Sequence, residues 1–372
     1  MFRRLAAVIL SVVLLSPGWL GMTGLTLPFA MIPLLWISAS YDQTRRSWWR
    51  MFGWAALTFA LWNISTVWWI WNATPVGPVA ATLASTTLNM IAFMLFHTVS
   101  KKGPKALAYT LLIAGWIATE YWYTVGEFSW PWLILGNGFS HDVWLVQWYE
   151  YTGVFGGSLW VLLCNILFFE ALRARRSIGR WIPAAGVLLL PAAVSLSIWW
   201  SWEQPDEGTA RVSVIQPNVD CYDKFNGRAE WQERNIVDLL TEVPASEKKA
   251  EGVVKGFSSH SGHYYKMGDG FTAGHLGEAP CPPDIPSGEF AAMRDTGDVV
   301  AAFFGHDHKN DFVGTYEDID LVNTAGTGFY IYGEREYHGA RLVILHESTP
   351  AEYDTKMLYY NCLLYTSPSP RD

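Results

Sequence analysis

The chain has 372 residues, 51% of them hydrophobic and 16% charged, with 21 Trp and a formal net charge of −8. An acidic balance without a clustered basic surface excludes a typical nucleic-acid partner, because phosphate contacts need grouped Lys and Arg. The length allows roughly two or three domains, and the composition divides unevenly: residues 1–200 hold just twelve Lys or Arg and most of the Trp, while Gly and charge concentrate after residue 201.

Taken in chain order, seven apolar stretches come first, at 5–20, 22–39, 51–71, 79–99, 106–124, 154–172 and 181–200. Each is a predicted helix with a length on the scale of about 30 Å of hydrocarbon at about 1.5 Å per residue. The first two are short, and Pro17-Gly18 between them predicts a tight helical hairpin. A cleaved signal peptide is the competing reading of residues 1–20, but apolar sequence resumes at once and no small-residue cleavage site stands out.

The basic residues set an orientation. Arg3 and Arg4, then Arg45, Arg46 and Arg50, then Lys101, Lys102 and Lys105, then Arg173, Arg175, Arg176 and Arg180 fall in alternate loops. Residues 72–78 and 126–153, the loops between, contain no Lys or Arg. The positive-inside rule then puts the N-terminus in the cytoplasm and everything after Trp202 outside it. Trp48-Trp49, Trp68-Trp69-Trp71 and Trp199-Trp200-Trp202 lie at span ends. Amphipathic rings there bridge headgroup and tail, and most of them read as an aromatic belt without chemistry.

One loop is too apolar to be free. It runs Glu127-Phe128-Ser129-Trp130-Pro131-Trp132-Leu133 and Leu135-Gly136-Asn137, and is followed by Glu150-Tyr151-Thr152-Gly153 and Gly156-Gly157-Ser158. After the last span comes Val212-Ser213-Val214-Ile215-Gln216-Pro217-Asn218-Val219-Asp220, an alternating strand ending in a polar turn. These blocks, in this order, resemble bacterial apolipoprotein N-acyltransferase over about residues 1–242. The resemblance implies a bacterial inner-membrane bundle followed on the periplasmic side by a nitrilase-like domain. Its partners would be membrane phospholipid, as acyl donor, and a lipoprotein whose N-terminal cysteine accepts the chain. No cofactor is implied. A Glu base, a Lys that stabilises the oxyanion and a Cys nucleophile would carry the chemistry, and Trp132 would border the lipid cavity.

The pattern then stops. A helix is predicted from about Phe225 to Leu240, but Thr241-Glu242-Val243-Pro244 runs into a Lys-rich stretch instead of a strand ending in a Trp-Pro-Glu-like turn. Glu251, Lys266 and Cys281 occur in the order base, Lys, nucleophile, with a spacing far too compressed for the ends of successive strands. No catalytic residue is therefore assigned. Cys221 reads as a turn residue and Cys164 as packing inside a span.

From about Tyr264 the character changes. A buried strand, Val299 to Phe304, delivers Gly305-His306-Asp307-His308-Lys309-Asn310-Asp311. Two imidazoles one residue apart on a strand-end turn suit metal or phosphate contact. The set resembles the C-terminal part of calcineurin-like metallophosphoesterases of the purple-acid-phosphatase branch, which implies a divalent metal (Fe, Mn or Zn) at His306 and His308, and Gly339 to His346 resembles that family's final strand. The Asp-x-His, Gly-Asp-x-x-Asp and Gly-Asn-His blocks of that family are missing, so the metal expected here is weakly held at best. Residues 362–372 have no periodicity and read as a translated sequencing adapter.

The expected fold is a polytopic α-helical membrane bundle of about seven spans, followed by a truncated nitrilase-like start and a small α/β metallophosphoesterase-like remnant. The expected divisions are 1–200, 201–242, a junction at 243–263, a fragment at 264–358 and an artefactual tail at 359–372.

Overall fold

The apolar stretches of the first half fold as helices with recognisable boundaries. In a computed structural model, residues 1–72, 74–125, 130–174, 177–203, 271–279, 289–297, 299–327, 332–334, 336–346, 348–349 and 352–360 are described. The chain divides into two compact units, Met1–Pro205 and Asp206–Asp372.

The first unit contains α1 (Phe2–Leu15), α2 (Ile32–Ala39), α3 (Arg45–Val67), α4 (Gly77–Lys102), α5 (Lys105–Val125), α6 (Tyr149–Arg173) and α7 (Ile178–Ser201). Thr44 caps α3 by accepting a hydrogen bond from the Ser47 amide at 3.2 Å, which satisfies one of the four unpaired N–H groups of a helix start. The core is aromatic: Phe59 of α3 packs against Phe93 of α4 and Trp116 of α5, with ring centroids 6.0 and 5.6 Å apart. Polar ties cross between elements. Buried Asn165 of α6 accepts from the Met31 amide at 2.7 Å and donates to the Leu27 carbonyl at 2.8 Å.

Among the described residues four segments are long and apolar enough to cross a membrane: Phe2–Trp19, Gly77–Lys102, Tyr149–Arg173 and Ile178–Ser201. The expected stretches at 51–71 and 106–124 form α3 and α5, of 23 and 21 residues, without reaching the same apolarity. The stretch at 22–39 differs more. It becomes a 3-10 turn at Leu27–Phe29 and an eight-residue α2, because Pro28 and Pro33 supply no N–H and are accommodated only in first turns. At Pro17–Trp19 a 3-10 turn follows α1.

In the second unit, β1 (Phe271–Ala273), β2 (Ala301–Phe304), β3 (Val313–Tyr316) and β4 (Ile319–Asn323) form a sheet ordered β1-β3-β4-β2. β2 and β4 are parallel and the other neighbours antiparallel. Helix α8 (Glu289–Thr296) brings Phe290 and Met293 to a core with Val299, Ala302, Phe304, Phe312, Ile319 and Leu321. The β3–β4 turn places Glu317 and Asp318 at φ 47° and 64°. Two consecutive left-handed residues give the turn whose twist matches a hairpin.

The strand expected at Val299–Phe304 is present as β2. The strand expected at 339–346 is present as β5 (Gly339–Leu345) and pairs with a further strand, β6 (Tyr353–Tyr359), in register Gly339↔Tyr359. Ordered pairing thus runs one residue beyond the boundary expected at 358. The predicted strand and helix within 211–242, the junction at 243–263, and residues 361–372 lie outside the described residues.

Candidate functional site

The apolar loop between α5 and α6 is a built structure made of three 3-10 turns, Pro131–Leu133, Leu135–Phe139 and Val143–Leu145. Its N-terminal end is tied by the Trp130 amide, which donates to the Tyr123 carbonyl at 3.0 Å. Asn137 Nδ2 donates to the Pro131 carbonyl at 2.8 Å and closes the first turn. The Trp19 indole donates to the Trp132 carbonyl at 2.8 Å. That bond fixes the backbone at Trp132 while leaving its ring 42% exposed. The Trp132 ring lies edge-on to Trp69 with centroids 5.2 Å apart, and Trp69 also stacks with Trp130 at 6.2 Å.

The same loop is tied to a buried carboxyl group. Glu120 of α5 is 2% exposed, and its Oε1 accepts from the Leu135 amide at 2.8 Å and the Trp116 indole at 2.9 Å. Next to it, the Gly136 amide donates to Ser158 Oγ at 3.1 Å and the Tyr149 hydroxyl donates to the Gly136 carbonyl at 2.9 Å. Gly136 has to be glycine here: a Cβ would lie 2.1 Å from the Val154 carbonyl oxygen. α6 bends at Gly153, whose φ of 63° and ψ of −174° break the helical path just ahead of that contact. Farther along, Asp142 Oδ2 accepts from the Gly24 amide at 2.7 Å and from the Thr23 hydroxyl at 3.0 Å. Ser195 of α7 bridges the Trp144 carbonyl and the Gln147 amide at 2.8 and 2.7 Å.

Trp132 was the site residue expected in this unit, and it stands at an exposed rim of the clasped loop. Ser158 stood in the Gly-Gly-Ser block of the sequence but without a role, and none was assigned to Glu120, Tyr149 or Trp19. A lone carboxylate inside an apolar helix was the available signal for Glu120, since burying an ionisable group at that depth is expensive without a role. Cys164 is buried in α6 and not disulfide-bonded. Glu251, Lys266, Cys221 and Cys281 lie outside the described residues.

In the second unit the turn after β2 carries His306 and His308. His306 is exposed, and His308 Nδ1 lies 3.0 Å from the Tyr332 carbonyl, leaving Nε2 as its atom for any ligand. Asp307 is buried and its carboxylate accepts from Asn310 Nδ2 at 3.4 Å. Asn310 and Asp311 knit the fold together. Asn310 Oδ1 accepts from the Glu278 amide at 3.0 Å, while Asp311 accepts from the His275 amide at 2.5 Å and from the Tyr359 hydroxyl. Burial first, and then that hydrogen bond, push the Tyr359 hydroxyl above its ordinary range. Among the described residues no group of three His, Cys, Asp or Glu side chains is placed to hold a metal ion. Two imidazoles with no carboxylate joining them do not fit a dinuclear phosphoesterase centre, which needs bridging acidic ligands to hold two ions about 3.5–4 Å apart.

Comparison with known proteins follows the same division. Residues 9–167 match the family model of the apolipoprotein N-acyltransferase N-terminal domain. An apolipoprotein N-acyltransferase from Chlorobaculum tepidum is 27% identical over 211 residues, 53% of this chain and 37% of that protein. Two Arabidopsis thaliana proteins, named probable inactive purple acid phosphatase 14 and probable inactive purple acid phosphatase 29, are also similar. The first is 40% identical over 57 residues, 15% of this chain and 14% of the relative. The second is 27% identical over 140 residues, 35% of each. The chain thus spans little more than a third of the length of the bacterial relative and of the second plant relative, and about a seventh of the first plant relative. No solved structure matches it. The N-terminal part therefore resembles apolipoprotein N-acyltransferases, and the second part resembles, more weakly, purple acid phosphatases.

Proposed function

We propose that the first unit is the membrane bundle of an apolipoprotein N-acyltransferase. In the intact family this enzyme moves an acyl chain from phospholipid to the N-terminal cysteine of a lipoprotein. The observation that carries the reading is the clasped Pro131–Phe139 loop inside the matched segment, which leaves Trp132 exposed and is tied through the Leu135 amide to the buried Glu120 carboxyl group. In this reading Trp132 borders the cavity for the acyl chain and Glu120 is a positioning residue that sets the loop's height. The bundle crosses the bacterial inner membrane about seven times, with the N-terminus in the cytoplasm and the C-terminal region in the periplasm. Supporting the count, α3 and α5 at about 1.5 Å per residue would be about 34 and 31 Å long, enough for about 30 Å of hydrocarbon. The alternation of basic and base-free loops supports the sidedness.

We further propose that this chain is an inactive fragment of that enzyme, joined near 243–263 to a piece of a different protein. The sequence supplies no Glu, Lys and Cys at the ends of successive strands after Val219, and acyl transfer through an activated thiolate needs all three together. A second reading, a metallophosphoesterase fragment that hydrolyses phosphoesters, is favoured by the Gly305–Asp311 motif and the 40% identical segment. Among the described residues no acidic side chains join the two imidazoles into a metal-holding group, as such a reaction requires. Paired assays test both readings. The full chain in membranes should form no triacylated product from phospholipid and a diacylated lipopeptide. Nor should it cleave a chromogenic phosphoester with added Mn²⁺ or Fe. Clear turnover in the first assay overturns the inactive-fragment reading, and clear turnover in the second overturns the exclusion of phosphatase chemistry.

A further inference from the structure

Six of the basic residues in the base-rich loops of the bundle fall into two groups. Lys105, Arg173 and Arg180 surround Glu170, with nitrogen–oxygen distances of 3.2, 3.4 and 3.7 Å. Arg45, Lys101 and Lys102 form no ion pair with any described residue. Instead they line a cavity of about 320 Å³ together with Asp42, Trp48 and His97. Three cations facing one carboxylate leave a net positive space, and its volume is at the lower end of the range of about 300–1,000 Å³ typical of small-molecule sites.

The walls of this cavity are ordered. Lys101 Nζ donates to the Ser38 carbonyl at 2.8 Å, and His97 Nδ1 lies 2.7 Å from Ser38 Oγ. The Trp48 indole donates to Thr98 Oγ1 at 2.9 Å. Trp48 also packs against Trp49 and Phe52, with centroids 4.8 and 5.6 Å away, and both of those rings are exposed. An exposed aromatic cluster beside unpaired cations at the end of apolar helices marks the depth of lipid headgroups.

We propose that this cavity binds a phosphate group, specifically the phosphodiester of an anionic lipid headgroup. Arg45, Lys101 and Lys102 contact the phosphate oxygens, and the Trp48 cluster borders the acyl chains. The proposal is separate from acyl transfer: it rests on the membrane location of the bundle and on no catalytic group.

The test is a titration of the full chain in neutral detergent with short-chain phosphatidylglycerol, read by Trp fluorescence. Phosphatidylcholine and inorganic phosphate form parallel arms. Saturable binding of phosphatidylglycerol is expected, about tenfold tighter than phosphatidylcholine, with Lys101→Gln and Lys102→Gln each weakening it about fivefold. Asp42→Asn keeps the Oδ1 acceptor that the Thr44 amide uses and removes the opposing charge. It should therefore tighten binding, about threefold, a sign that loss of folding cannot mimic. Equal affinity for the two lipids, or unchanged binding in both Lys variants, overturns the site. Inorganic phosphate that binds as tightly and displaces the lipid overturns the lipid assignment.

Discussion

Glu120→Ala should destabilise the first unit by about 2–6 kcal/mol, because it leaves two buried donors without an acceptor at about 1–3 kcal/mol each. The donors are the Leu135 amide and the Trp116 indole, both within 3 Å of Oε1. Glu120 is 2% exposed, so bulk solvent does not replace either bond at low cost. Glu120→Gln keeps a carbonyl oxygen in the same place and should lose much less. The measurement is thermal unfolding of the full chain in detergent, with limited proteolysis of residues 131–146 as a local readout. Faster cleavage of the loop in the Ala variant than in the Gln variant is expected. An Ala variant as stable and as resistant as the parent would mean that the carboxyl does not hold the loop.

The second large effect is steric. Gly136→Ala puts a methyl group 2.1 Å from the Val154 carbonyl oxygen, and a backbone atom cannot swing aside as a side chain can. Either the loop lifts from α6, breaking the Ser158 and Tyr149 hydrogen bonds to Gly136, or the bent start of α6 shifts. Overpacking of this kind costs about 1–3 kcal/mol or more. The same substitution at Gly53 in α3 has nothing within 4 Å of the new Cβ, so it should be neutral or stabilising by up to about 1 kcal/mol. Unfolding midpoints of the two variants should therefore move apart, and a Gly136→Ala midpoint at or above that of Gly53→Ala would contradict the close packing.

What could be read from the sequence depended on range. Residues 5–20, 51–71, 79–99, 106–124, 154–172 and 181–200 declared themselves as helices because long apolar runs are a local property: α1 and α3 to α7 form there, with 3-10 turns taking over after Leu15 and Val67. The stretch at 22–39 did not, since Pro28 and Pro33 cut its pattern into a turn and a short helix. The loop was recognisable as unusual from its Trp and Leu content, yet its anchors were hidden. Trp19 reaches Trp132 across 113 residues, and Asn165 reaches Met31 across 134. Tertiary hydrogen bonds at that separation leave no periodic trace.

In the second unit β2 was legible as an apolar run, whereas the β3–β4 hairpin was not. Its turn uses Glu317-Asp318 at positive φ, and the usual hairpin signal is a turn with Asn or Gly at those places. β6 carries Asp354, Thr355 and Lys356 among its apolar residues, and most of its side chains are half-buried, so its alternation is weak. In the turn at Gly305–Asp311, the roles of Asn310 and Asp311 were not legible. They hold the turn to His275, Glu278 and Tyr359, partners at least 32 residues away in sequence.

We propose that pieces of two different genes join within codons 240–265, and long DNA reads across that interval from the source material test this most directly. The account predicts that reads carrying the membrane bundle continue into other sequence, with codons for a Glu, a Lys and a Cys on later strands. Uninterrupted reads that join both segments in frame, in copy after copy, would contradict it.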